Sequence, residues 1–258
     1  MQVFYINLAR RPDRNEEFLR RNAAIADCCR VDAIDGGSLK IDTLATSGII
    51  AERLEAYSPG ALACALSHKQ LWERAVSTAA PITIAEDDAV LNRCFSARAA
   101  SVIARLPDDW DIVFWGWNFD SILDCQVIPG LKQCVMHFDP RPLREKQDCF
   151  QAIDVDPIPL RLFGAFGLLC YSVSPKGASL LKGFCFPLRN EVIPVPALGR
   201  ALKNFGIDVL MNKYYRRLKA YVSFPPLAWS ENDKSISNIS PPTAGTTTPA
   251  AKSGQDGR

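Results

Sequence analysis

The chain has 258 residues, 48% hydrophobic and 22% charged, enough for one large α/β domain with a substantial core. Thirty basic residues stand against 28 acidic ones, a net charge of +2, which excludes a polyanion such as nucleic acid as the expected partner. The nine cysteines form no C-x-x-C pair, which excludes a zinc ribbon or thioredoxin-type motif and suits a reducing compartment.

The apolar run QVFYINL (2–8) predicts a buried first strand. It is too short for a signal peptide or a membrane span, and no other run approaches the roughly 18 apolar residues a span needs. A cytoplasmic protein is therefore expected, with any membrane contact peripheral at the inner-membrane face. Pro12 and Asp13 turn the chain into a helix, and Arg10, Arg11, Arg14, Arg20 and Arg21 make the one local basic excess. That excess is either a solvated helix face or a grip for phosphate or an anionic membrane surface. CCRVDAIDGG (28–37) reads as a second strand ended by Gly36 and Gly37, and residues 38–57 as irregular with a short helix. Ser58 offers an N-cap and Pro59 the first helical position for a helix to about Val76.

ITIAE (82–86) predicts a strand, residues 92–105 a helix, and DIVFWGW (111–117) a strand buried along its length. Weak periodicity over 118–160 predicts loops and short strands. LFGAFGLLCYSVS (162–174) reads as one strand, followed by a helix from Pro175. Residues 196–217 read as mostly helical and AYVSFPPLAW (220–229) as a last, edge strand. The domain is expected to span 1–230. The Ser-, Thr-, Pro- and Gly-rich tail, 231–258, has too little apolar surface to order itself. Strands alternating with helices predict a mainly parallel sheet, flanked by helices, with ligands bound beyond the carboxyl ends of its strands. The polar strand ends at 7–14, 32–37, 86–88 and 115–118 would meet there.

Glu86, Asp87 and Asp88 are the strongest chemical signal. Acids near a helix start are favoured by the helix dipole, each by ~0.3–1 kcal/mol, so the cluster can be the approach to the 92–105 helix. Yet three adjacent acids repel one another unless a cation answers them, and a rigid strand end is where metal ligands belong. Carboxylates suit Mg²⁺ or Mn²⁺ with substrate phosphates completing the shell. A metal–diphosphate site is the preferred reading.

FYINLARRPDR, GALACALSHKQLW, ITIAEDDAVL and GLLCYSVSPKGASLL, in that order, resemble glycosyltransferase family 25. This is the lipooligosaccharide and lipopolysaccharide galactosyltransferase group that also includes the collagen galactosyltransferases. The ending GIDVLMNKYYRRLKAYVSFPPLA is similar to that of bacterial members, and the resemblance covers about residues 2–240. It implies a GT-A fold, a UDP-sugar donor (commonly UDP-galactose), a divalent cation and inversion at the anomeric carbon. Glu86, Asp87 and Asp88 match the family's acidic motif, which implies that they hold the metal.

Inversion also needs a base for the acceptor hydroxyl. Asp208, after Gly206 in an apolar segment, is the candidate; a helix N-cap is the alternative, and Glu191 and Asp156 are weaker candidates. FPLRNEVIPVPALG departs from the family's common ending, where the acid follows soon after a Pro. His68 shares a helical face with Cys64 and Trp72; it is either a half-buried structural histidine or, as the family match implies, a pocket residue near the donor. Cys64 and His68 have metal-ligand spacing without a further partner evident. The match at NLARRPDR implies nucleotide contact from Asn7, Arg10 or Arg14, where an arginine can grip a phosphate. Asp32 and Asp35 could receive uracil or ribose, or Asp35 simply opens a turn. Trp115, Trp117 and Asn118 end a strand as sugar platform or core, and His137 has no identifiable partner. The expected function is hexose transfer, most simply galactose, from a UDP-sugar to an oligosaccharide or glycolipid acceptor. The other classes are a non-catalytic nucleotide-sugar-binding partner and a nucleotidyltransferase, the last disfavoured by the lack of a Gly-rich phosphate loop.

Overall fold

The computed structural model describes residues 1–139, 141 and 146–231. The tail expected to be disordered lies, but for Glu231, outside the described residues. A nine-stranded sheet runs in the order β2-β1-β3-β9-β5-β12-β8-β6-β7. The strands are β1 (Val3–Asn7), β2 (Cys28–Asp32), β3 (Ile82–Glu86), β4 (Val90–Leu91), β5 (Ile112–Gly116), β6 (Ile122–Ile128), β7 (Lys132–His137), β8 (Ile158–Ala165), β9 (Cys170–Val173), β10 (Val192–Val195), β11 (Arg200–Lys203), β12 (Ala220–Phe224) and β13 (Ala228–Trp229). The principal helices of the first half are α1 (Pro12–Arg21), α2 (Ile41–Thr46), α3 (Pro59–Thr78) and α4 (Phe95–Ile103).

The first half follows the predicted logic. β1 pairs in parallel with β2 and β3, so the carboxyl ends of all three fall on one edge. Along β1, Phe4 packs into one core and Val3 and Tyr5 into the other, which is the period of two expected for a strand buried on both faces. β5 repeats this with Ile112 and Phe114 against Val113 and Trp115. α3 and the helix Pro175–Cys185 cover the first face; Phe18 of α1 and Phe95, Ala99 and Val102 of α4 build the second core.

The expectation of a mainly parallel sheet is corrected. β9 runs antiparallel to both β3 and β5, and β12-β8-β6-β7 continue antiparallel, so the sheet is mixed. The run 162–174 is not one strand. Gly167, at φ 81°, lies between β8 and β9, a left-handed conformation that a side chain resists. The stretch read as loops and short strands holds β6 and β7, a full hairpin. Residues 196–217 are not mostly helical: β10 and β11 form a hairpin, and the only α-helix described there is the short Ile207–Met211. β12, expected at an edge, lies between β5 and β8.

α3 contributes Cys64 and His68, among other residues, to the cleft and is capped as its sequence suggests: Ser58 Oγ accepts the Ala61 N–H at 3.0 Å, with Pro59 in the first turn. Gly36 packs on that helix start, where a Cβ would fall 2.5 Å from the Pro59 carbonyl oxygen. Ser58→Ala is expected to cost about 0.5–2 kcal/mol, read as a lower urea midpoint at unchanged slope.

Candidate functional site

The carboxyl ends of β1, β2 and β3 open into a cleft of about 780 Å³. Arg10 and Arg14, Asp35, Cys64 and His68, all three acids of the triplet, Asn118 and Asp208 line it. The polar ends expected to converge therefore do so, with exceptions. Asp32 does not line the cleft; its side chain is 73% exposed and pairs with Arg30 at 2.8 Å. Asn7 is buried behind the triplet and does not line the cleft. Trp115 and Trp117 are fully buried: Trp115 Nε1 donates to Ser172 Oγ at 2.8 Å, and Trp117 stacks on Phe119. Both are core, not sugar platforms. Asp156 pairs with Arg98 and Glu191 with Lys213, both outside the cleft lining. His137, on β7, faces Ile122 across the hairpin.

Helix approach does not account for the triplet. After Asp88 the chain makes β4, and α4 starts only at Phe95 with Cys94 as its cap residue. The three carboxylates have unequal surroundings. Asp87 is engaged at both oxygens: Asn7 Nδ2 donates to Oδ2 at 2.7 Å and the Arg14 guanidinium pairs with Oδ1. Asn7 is itself held, accepting from Arg30 Nε at 2.9 Å. Asp88 Oδ2 accepts from Ser230 Oγ at 2.7 Å, while its solvent-shielded Oδ1 makes no hydrogen bond among the described residues and lies 4.0 Å from the Arg14 guanidinium. Glu86 Oε1 stands 3.7 Å from His68 Nε2. Burial, and then the Glu86 charge, push Asp88 up to about 6; burial also raises Asp87 despite Arg14. An orphaned carboxylate oxygen beside a second carboxylate is a donor set suited to a hard divalent cation.

Asp208 sits in the first turn of helix Ile207–Met211, whose cap residue is Gly206 with no side-chain cap bond. Its Oδ2 instead accepts the Gly167 N–H at 2.9 Å. Burial raises its proton affinity, an effect the Gly167 bond opposes. A Cβ on Gly167 would fall 2.2 Å from Asn118 Oδ1, so any side chain there would force Asn118 to move. His68 is fully buried rather than half-buried, its Nδ1 2.9 Å from the Tyr171 hydroxyl, which also accepts the Trp72 Nε1–H at 2.8 Å. Cys64 and His68 read from sequence as lacking a further metal partner; Glu86 brings a third ligand-type atom within 4.8 Å of theirs. Burial, then the charges of Glu86, Asp208 and Asp88, hold the Cys64 thiol well above its ordinary range.

The arginines of the N-terminal excess all meet carboxylates: Arg10 meets Asp35, Arg11 meets Asp13, Arg14 meets Asp87, and Arg20 and Arg21 meet Glu17. Asp35 accepts from Arg10 Nε at 2.7 Å and from the Gly37 N–H at 3.0 Å, so it opens the turn and lines the cleft at once. Sequence reasoning missed Phe205, 48% exposed on the cleft wall, and Ser230 beneath Asp88. An aromatic beside a candidate acid, in NFGID, was the available signal for Phe205; nothing local marked Ser230.

A match to the family described as Glycosyltransferase family 25 (LPS biosynthesis protein) covers residues 1–181, and the chain belongs to that family. Among curated proteins it is 30% identical over 148 residues to the Bos taurus protein named probable inactive glycosyltransferase 25 family member 3, covering 52% of this chain and 24% of that one. It is also 30% identical over 129 residues to procollagen galactosyltransferase 1 of Danio rerio, covering 45% and 21%, and 31% identical over 127 residues to a glycosyltransferase 25 family member of Aedes aegypti, covering 44% and 21%. These matches span about a quarter or less of each relative's length. No helix among the described residues is long and apolar enough to cross a membrane.

Asp88 is half-buried, its side chain 32% exposed, and neutralising it removes a charge that its surroundings disfavour. Because its folded proton affinity exceeds the ordinary value of 3.8, this group stabilises the fold at low pH and loses that contribution as pH rises through about 6. In chelator, Asp88→Asn should raise the thermal midpoint by about 2–4 °C above pH 6, and the gain should vanish towards pH 4. Gly167→Ala should destabilise at any pH, by about 1–3 kcal/mol for the backbone alone, seen as a lower urea midpoint.

Proposed function

We propose that the chain is an inverting GT-A-type hexosyltransferase that moves galactose from UDP-galactose onto a saccharide of bacterial lipopolysaccharide or lipooligosaccharide. The observation that carries this reading is Asp88 Oδ1, shielded from solvent and without a hydrogen bond among the described residues, beside Glu86 in a cleft that also holds Asp208. Family membership supports a sugar-transfer chemistry, and the name of the Danio rerio relative supports galactose.

Asp88 and Glu86 would hold Mn²⁺ or Mg²⁺, which when bound supplies positive charge to the departing diphosphate. Asp87, already engaged by Arg14 and Asn7, fixes the backbone and field of the triplet. Arg10, in the loop after β1, can exchange its exposed partner Asp35 for a phosphate. Phe205 offers an apolar face to a sugar or base at the cleft wall. The acceptor oxygen attacks the anomeric carbon from the side opposite the diphosphate, the sugar–phosphate bond breaks, and the hydroxyl proton passes to Asp208. Burial strengthens that carboxylate as a base, and the Gly167 N–H orients it.

A second reading, a nucleotide-sugar-binding partner without transfer, is favoured by the word inactive in the name of the Bos taurus relative. Incubation with Mn²⁺ and a UDP-sugar panel separates the two by release of UDP. Transfer should occur with UDP-galactose and fall about 10²–10³-fold in Asp88→Asn. Asp208→Asn should lower kcat about 10²–10⁴-fold and flatten the acidic limb of the pH profile. Donor binding without UDP release from any sugar would establish the second reading, and full turnover in Asp88→Asn would remove the cation assignment.

A further inference from the structure

The cleft contains a second donor set of different chemical character from the Glu86–Asp88 carboxylates. Cys64 and His68 are one turn apart on α3, so both side chains project from the same helical face. Glu86 closes β3 opposite them, and one ligand atom from each residue lies within 4.8 Å of the others. His68 is fully buried, yet its Nε2 has no hydrogen bond among the described residues and lies 3.7 Å from Glu86 Oε1. Native interiors rarely leave such an atom unsatisfied without a use for it.

The far side of the ring is secured. Nδ1 lies 2.9 Å from the Tyr171 hydroxyl, and the Trp72 indole bonds the same hydroxyl at 2.8 Å. Metal binding selects the tautomer with its proton on Nδ1, in which the ring donates to the Tyr171 oxygen and the Nε2 lone pair faces Cys64 and Glu86. Metal-bound imidazoles are held in this way, through the other ring nitrogen.

Thiolate, imidazole and a single carboxylate form a borderline-soft set, suited to Zn²⁺ rather than to Mg²⁺ or Mn²⁺. Bonds of about 2.0–2.3 Å require the ligand atoms to draw in by about 1 Å or less from their present spacing. Three protein ligands on the wall of an open cleft leave the fourth position to water or an anion. We propose that Cys64, His68 and Glu86 form a zinc-type site that shares Glu86 with the Asp87–Asp88 side of the cleft. The two sites compete for one carboxylate, so zinc seated on Cys64 and His68 weakens binding of a hard cation at Asp88. Zinc binding itself stands on these side chains alone and does not depend on the transferase reading.

Cobalt(II) is the probe, added to the full chain after chelator treatment. One equivalent should give a thiolate-to-cobalt charge-transfer band and intense tetrahedral d–d absorption, both displaced by Zn²⁺. Cys64→Ser should abolish the charge-transfer band while leaving the thermal midpoint within the spread of repeat melts. Tyr171→Phe should keep the band and weaken cobalt affinity about 10–100-fold. A weak octahedral spectrum, or a band that survives Cys64→Ser because other thiols such as Cys28 and Cys29 supply it, overturns the proposal. Asp88→Asn should keep the cobalt band even though it loses UDP release, so this site and the transferase reading fail on separate measurements.

Discussion

Three carboxylates in succession repel one another, and much of the surrounding structure is organised by that repulsion. Asp87 is answered from α1 by Arg14 and from β1 by Asn7, which is braced in turn by Arg30 of β2. Asp88 is reached by Ser230, beyond β13, and Glu86 faces His68 of α3. Segments far apart in the chain thus converge on one strand end, and they do not neutralise it fully. The remaining charge is concentrated at Asp88, where burial works against ionisation.

Parts of this were visible in the residues because they depend on local pattern. β1, β3 and β5 announce themselves as short apolar runs ended by polar residues, and Ser58-Pro59 marks the start of α3 directly. The convergence of the cleft followed from the parallel connection of the first strands. Strand direction in the second half was not visible. β9 and β12 have the same apolar composition as a parallel strand, and only their partners decide that one runs antiparallel to β3 and the other lies inside the sheet. The error at 196–217 has a plainer source: Pro194, Pro196 and Gly199 break the chain into a hairpin and a tight turn, although the apolar content suggested a helix.

Side-chain roles divided in the same manner. Trp115 and Trp117 have a residue type that fits either a sugar platform or a core, and burial decides for the core. Cys64 and His68 had the spacing of ligands, but their third partner lies on a different element and becomes evident only when β3 is laid beside α3. Asp208 was ambiguous between cap and base; its bond to Gly167 across the cleft is a tertiary fact that no local window contains.

The route of the chain past β13 also has a practical side. Ser230 touches Asp88 and Glu231 pairs with Arg21 at 3.2 Å, so Glu231 stands at the rim of the cleft. Met1 precedes the opposite end of β1, across the sheet from that rim. A surface tether, fluorophore or fusion partner attached through the first residues would therefore leave the mouth of the cleft free, whereas one attached just after Glu231 would stand in its doorway.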